Sequence, residues 1–184
     1  MLFSALLLAG GKSSRMGQDK AFLEIAGEPL WRRQVETLAR LSPAQLIISG
    51  PTRAEWSAYE NIPDQHANGG PLAGFASAWQ ICRTPHLLVL AVDLPAMTSD
   101  YLGSLLKRCA EGRGVVPQRD GRFEPLAAIY PAGCRALAEQ NLKTGDCSMQ
   151  MLVRRALEEN LLVARLVSEA EASLFFNLNT PADL

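Results

Sequence analysis

The sequence is poor in the residues that usually build a metal or redox centre. It has two histidines, His66 and His86, and four cysteines, Cys82, Cys109, Cys134 and Cys147, none spaced as a C-x-x-C ligand pair. No zinc-ligand pattern is present, and a reducing, cytoplasmic setting is expected. An excess of either charge is also missing. Eighteen Lys and Arg face nineteen Asp and Glu, a formal net of -1, so no global field favours a nucleic acid backbone or an anionic membrane. No nucleic acid and no membrane partner is expected, and any phosphate binding must come from local geometry. No apolar run approaches the roughly 20 residues of a bilayer-crossing helix. Leu2 to Leu8 is apolar, but it lacks a basic segment before it and runs into Gly10-Gly11-Lys12, unlike a secretory signal. Repeats, low-complexity tracts and linkers are absent. The 184 residues, 48% apolar and 20% charged, suit one domain spanning 1–184.

What is present is an alternation of short apolar runs with helical periodicity. Ala5 to Leu8, Leu46 to Ile48 and Leu87 to Val92 read as buried strands bounded by turn residues. Helical faces are marked by Trp31, Val35 and Leu38; by Leu72, Phe75, Ala76 and Trp79; by Leu102, Leu105, Leu106 and Cys109; and by Met149, Leu152, Val153 and Ala156. Trp31 and Trp79 fit core packing. Parallel neighbours need a crossover that a helix supplies, so the class is α/β with a mostly parallel sheet covered on both faces. Val115 to Tyr130 differs. There two apolar runs flank Arg119-Asp120-Gly121-Arg122, which predicts a hairpin or antiparallel excursion beside the site. Ligands in such sheets sit beyond the carboxyl ends of the strands, which nominates residues 9–20, 64–74 and 93–97.

The first of these segments is rich in glycine and positive charge. Leu8 and Ala9 end the strand, and Gly10 and Gly11 lack side chains that would hold a phosphate or a flat base away from main-chain N–H groups. Ser13 and Ser14 add small donors. Arg15 can fork onto two phosphate oxygens, whereas Lys20 acts as a compact point charge. Two familiar phosphate loops are excluded by spacing. A Walker A loop would need glycine where Leu6 stands, and the dinucleotide G-x-G-x-x-G fails because Gly10 and Gly11 are adjacent. The plain alternative is a surface loop.

In the third segment Asp93 directly follows the most apolar strand, and Pro95 turns the chain outward. A carboxylate there suits Mg²⁺, which takes one or two carboxylates plus substrate phosphates; it equally suits a turn or helix cap. The second segment runs from Asp64 through Gly70-Pro71-Leu72-Ala73-Gly74 into a helix. Asp64 opens this turn-rich stretch either as a hydrogen-bond acceptor for a ligand or as a turn cap. Asn177 and Asn179 share one side of an extended stretch, with loop capping as the alternative. His66 and His86 read as structural.

Leu8-Ala9-Gly10-Gly11, Ser13, Arg15-Met16-Gly17 and Asp19-Lys20 together resemble the signature LAGGxSxRMGxDK of the molybdenum cofactor guanylyltransferases, within the nucleotidyltransferase superfamily. Cytidylyl relatives usually carry LAAG there, so Gly11 favours guanine. The resemblance implies an α/β, single-domain, doubly wound fold of the Rossmann-like nucleotide-diphospho-sugar transferase type. It implies Mg²⁺ on Asp93 and catalytic roles for Arg15, Lys20 and Asp93. Nucleotide contacts are implied from Leu8, Ala9, Gly10, Gly11, Lys20, Asp64, Gly70, Pro71, Leu72, Gly74 and Asp93, with Asn177 and Asn179 near the phosphates and metal. The implied substrates are GTP and molybdenum-molybdopterin, with molybdoenzyme apoproteins or delivery chaperones as downstream partners. Arg119, Arg122 and Lys143 are candidates for the acceptor phosphate. The rival readings are a transferase of the same fold using CTP or a sugar phosphate, and a non-catalytic nucleotide or cofactor carrier. Glu124-Pro125-Leu126-Ala127-Ala128-Ile129-Tyr130 also resembles a family segment, without an assigned role.

Overall fold

The computed structural model describes residues 1–10, 19–63 and 69–178. Along them run β1 (Ser4–Leu8), β2 (Glu24–Ile25), β3 (Glu28–Pro29), α1 (Leu30–Ala39), β4 (Gln45–Ser49), β5 (Glu60–Ile62) and α2 (Gly70–Ile81). There follow β6 (His86–Ala91), α3 (Ser99–Leu106), β7 (Gly114–Arg119), β8 (Arg122–Phe123), β9 (Ala127–Pro131), α4 (Cys134–Lys143), α5 (Met149–Glu158) and β10 (Leu162–Leu166). Short 3₁₀ turns occupy Lys20–Phe22, Ala54–Trp56 and Glu169–Phe175.

The main sheet is ordered β10-β7-β9-β6-β1-β4-β5, with β8 paired to β7. β1 is parallel to both β4 and β6 and every residue of it is buried, which explains its unbroken apolar run. Alternation along the strands then divides the core. Ala5, Leu7, Ile48, Leu88 and Leu90 meet α1 and α3 on one face. Leu6, Leu8, Ile47, Leu87 and Val89 meet α2, α4 and α5 on the other. This is the doubly wound, mostly parallel arrangement expected, and Trp31 and Trp79 are buried in its two cores.

The excursion after β7 takes a definite form. Gln118 pairs with Phe123 and Arg119 with Arg122 across Asp120 and Gly121, whose φ values of 49° and 75° fit a two-residue type I′ turn. β9 then runs antiparallel between β6 and β7. Beyond the expected set are the short strands β2, β3 and β5, the helix α4, whose buried face is Cys134, Leu137, Ala138 and Asn141, and the edge strand β10. α3 ends at Leu106, so Cys109 lies past the helix on which the spacing had placed it.

After β10, Arg165 forks onto Glu171 and also donates to the Tyr101 hydroxyl. The Arg165 hydrogen bonds hold the Glu171 carboxyl down at about 2, and Glu171 closes a capping box with Ser168. This knot anchors the 3₁₀ turn, from which the chain runs back to the carboxyl ends of β1 and β6. Among the described residues no helix is long and apolar enough to cross a membrane.

Candidate active site

β1 and β6 are neighbours, but the chain leaves β1 toward β4 and β5 and returns at β6, so strand order reverses between them. Helices covering opposite faces part at such a point and leave a crevice beyond the strand ends. Leu8, Ala9 and Gly10 line this cleft on one side and Ala91, Val92 and Asp93 on the other. Val92 N donates to Leu8 O at 3.1 Å and Ala91 N to Leu126 O at 2.8 Å, fixing the floor.

α2 aims its N-terminus into the same cleft through Gly70, Pro71 and Gly74. Gly70 has φ +55°, a conformation costly for residues with a Cβ. The first turn of α2 carries no acidic side chain, which keeps the helix end attractive to anions. Leu72 turns its side chain away from the cleft. Its side chain is fully buried in the core under α2, because the helical period turns position 72 toward the sheet while Gly70 and Gly74 face the cleft.

Lys20 opens a 3₁₀ turn whose cap is Asp19, with Oδ1 accepting from Ala21 N at 3.1 Å. Lys20 Nζ lies 3.6 Å from Asp93 Oδ2 and donates to Leu178 O at 3.0 Å. Leu178 N in turn donates to Asp93 O at 2.9 Å, and its side chain is buried. The segment around Leu178 therefore braces both members of the ion pair. Behind Asp93, Gln34 on α1 donates to Leu94 O at 2.5 Å and Arg33 to Pro95 O at 3.2 Å. Burial pushes the Asp93 carboxyl above the usual carboxylate range, and Lys20 opposes this only in part.

Among the described residues no group of three or more His, Cys, Asp or Glu forms a metal cage. Asp93, a cleft carboxylate whose desolvation Lys20 offsets only in part, fits Mg²⁺ shared with substrate phosphates and does not fit a structural zinc, while Asp19, which also lines the cleft, is ion-paired with Arg53.

Gly11, Arg15, Asp64, His66 and Asn179 lie outside the described residues. Asn177 is exposed beside Leu178. Of the acceptor candidates, Arg119 donates to Ala172 O at 3.2 Å and sits 3.6 Å from Glu124, while Arg122 and Lys143 are exposed and line no part of the cleft. His86 is buried at the start of β6, at the opposite end of the sheet, and its Nε2 lies 3.0 Å from Ala110 O.

Several residues at the site were not foreseen, Ala91 and Val92 at the end of β6 among them. Ser49 and Leu126 line the cleft. Gly50 packs beneath Gly10: a Cβ there would sit 3.1 Å from the Trp56 ring and 3.2 Å from Gly10 N. Applying the strand-end rule to β4 as well as β1 and β6 would have found Ser49 and Gly50. Gly50→Ala is expected to lose about 1–3 kcal/mol in urea unfolding, because neither Trp56 nor the Gly10 backbone can easily yield; an unchanged midpoint would show that they can.

Residues 5–161 match the family model of the MobA-like NTP transferase domain. A probable molybdenum cofactor guanylyltransferase of Opitutus terrae is 37% identical over 182 residues, covering 96% of this chain and 90% of the relative. A molybdenum cofactor guanylyltransferase of Xanthomonas euvesicatoria is 35% identical over 181 residues, covering 97% and 90%. The crystal structure of molybdopterin-guanine dinucleotide biosynthesis protein A from Archaeoglobus fulgidus superposes with TM-score 0.77 at 24% identity, covering 98% and 94%, which shows the shared fold. With a switch-point cleft holding Lys20, Asp93 and a helix N-terminus, the chain belongs to the MobA-like NTP transferase family, as one of its molybdenum cofactor guanylyltransferases.

Proposed function

We propose that the protein transfers GMP from GTP to the phosphate of molybdenum-molybdopterin, releasing pyrophosphate and forming the guanine dinucleotide. The observation that carries this reading is the meeting of the Lys20 ammonium, the Asp93 carboxylate and the α2 N-terminus in one cleft. The names borne by the relatives support the choice of base and acceptor.

The acceptor phosphate oxygen attacks the α-phosphorus of GTP. A new P–O bond forms as the bond to the bridging oxygen breaks, and the electron pair leaves with pyrophosphate. Such a reaction asks the protein mainly for positioning and charge neutralisation. Lys20, held by Leu178 O, offsets negative charge on the triphosphate; Arg15 is assigned the same task. Gly10 and Gly11 give the phosphates access to main-chain N–H groups, and the first turn of α2 adds its dipole. Asp64 and the Gly70–Gly74 turn are assigned to the guanine and ribose. Asp93 would hold Mg²⁺, which supplies Lewis-acid neutralisation of phosphate oxygens when bound.

The test is a melting series with Mg²⁺ and each nucleoside triphosphate, followed by pyrophosphate release with the molybdopterin acceptor. At 100 times Kd, GTP should stabilise by about 2.7 kcal/mol and raise Tm by roughly 5–10 °C. An equal shift with CTP would overturn the guanine assignment. Binding without pyrophosphate release would favour the carrier reading instead.

A further inference from the structure

Arg53 stands at the cap of the Ala54–Trp56 turn, just after β4, and the reaction as described makes no use of it. Its guanidinium is ion-paired with Asp19 Oδ2. The same group lies over the Phe22 ring, 4.7 Å from the centroid, and over the Trp56 ring at 5.7 Å. Those rings stack on each other at 6.1 Å, and Trp56 is fully buried, so the cation rests on a rigid base. Asp19 uses its other oxygen to hold Ala21 N, the first peptide of the turn that begins at Lys20. Trp56 is also the side chain that would crowd a Cβ at Gly50, beneath Gly10. One aromatic-backed cation thus connects through Asp19 to the turn that begins at Lys20. A partly exposed ion pair adds little stability, so its effect is chiefly on geometry.

We propose that Arg53 is a positioning residue for Lys20: acting through Asp19 and the Phe22–Trp56 stack, it fixes the turn that presents the ammonium to the triphosphate. The proposal rests on the phosphate role of Lys20 given above. Asp19 and Phe22 flank Lys20 in sequence and Arg53 lies over thirty residues away in the chain, so the link exists only in the folded protein.

Calorimetric titration with Mg²⁺·GTP and with guanosine tests it. Arg53→Gln and Asp19→Asn should each weaken Mg²⁺·GTP about tenfold, in the range of coupled neighbours, and leave guanosine unchanged. Arg53→Lys keeps a cation on the rings and should recover part of the loss. In a Lys20→Ala background Arg53→Gln should cost nothing further. Equal weakening of guanosine, or the same loss with and without Lys20, would reduce Arg53 to a structural residue and overturn the proposal. If Lys20→Ala binds Mg²⁺·GTP like the parent, the phosphate role of Lys20 falls and the proposal falls with it. If Lys20→Ala is weakened and Arg53→Gln is not, the Arg53 proposal falls alone. Should Arg53→Gln fail to fold, Asp19→Asn and Arg53→Lys carry the same comparison.

Discussion

Lys20→Ala is expected to slow pyrophosphate release by about two to three orders of magnitude, the usual cost of removing one preorganised charge from a developing transition state. Lys20 Nζ is fixed by Leu178 O at 3.0 Å and by Asp93 at 3.6 Å, so in the proposed role it would meet the substrate without reorganising. Both side chains of the pair are about a quarter exposed, 22% and 26%, which limits the ion pair's share of stability to about 1 kcal/mol or less. Activity should therefore fall far more than the melting temperature. Lys20→Arg keeps the charge but replaces a point donor with a planar fork, and should restore only part of the rate. A Lys20→Ala enzyme turning over within about threefold of the parent would remove Lys20 from the chemistry.

Asp93→Asn is expected to abolish the dependence of turnover on Mg²⁺ and to lower the rate by at least about 100-fold, without lowering stability. The sign of the stability effect follows from the direction of the shift. Burial raises the folded-state pKa of Asp93 above its unfolded value. Between those two values the folded state binds the proton more tightly, so stability falls as pH rises through that window, and the penalty stays in full above the folded pKa. At neutral pH the neutral amide removes that penalty. It also removes the partner of Lys20, a small loss at a partly exposed site. An Asp93→Asn protein that melts well below the parent would show that the pair, not burial, dominates. Activity that still responds fully to Mg²⁺ would take the metal away from Asp93.

Central elements were legible in the sequence because burial on both faces leaves unbroken apolar runs, as in β1 and β6. The Asp120-Gly121 turn was legible because both residues tolerate positive φ. α4 was not, since its buried face is built from Cys134, Ala138 and Asn141 around one Leu137, a weak apolar signal despite correct helical spacing. β10 alternates only faintly, because an edge strand exposes Leu166 as well as Ala164 and Arg165 to varying degree. At the site, positions next to strand ends could be read locally, which is why Gly10, Lys20, Gly70 and Asp93 meet in one cleft. The turning of Leu72 into the core, the packing of Gly50 beneath Gly10 and the Arg53–Asp19 link depend on contacts between distant segments, and no local pattern encodes them.

The hydrogen bond from Lys20 to Leu178 joins residues 158 positions apart. Contacts of such separation must overcome the closure entropy of a very long loop, and in folding they form after nearer pairings have shortened the effective path. β1, β4 and β6 can find one another while the ammonium of Lys20 still lacks its carbonyl anchor. Local detachment of residues 176–178 would return the protein to that earlier stage, with the strands intact and the charge pair unbraced.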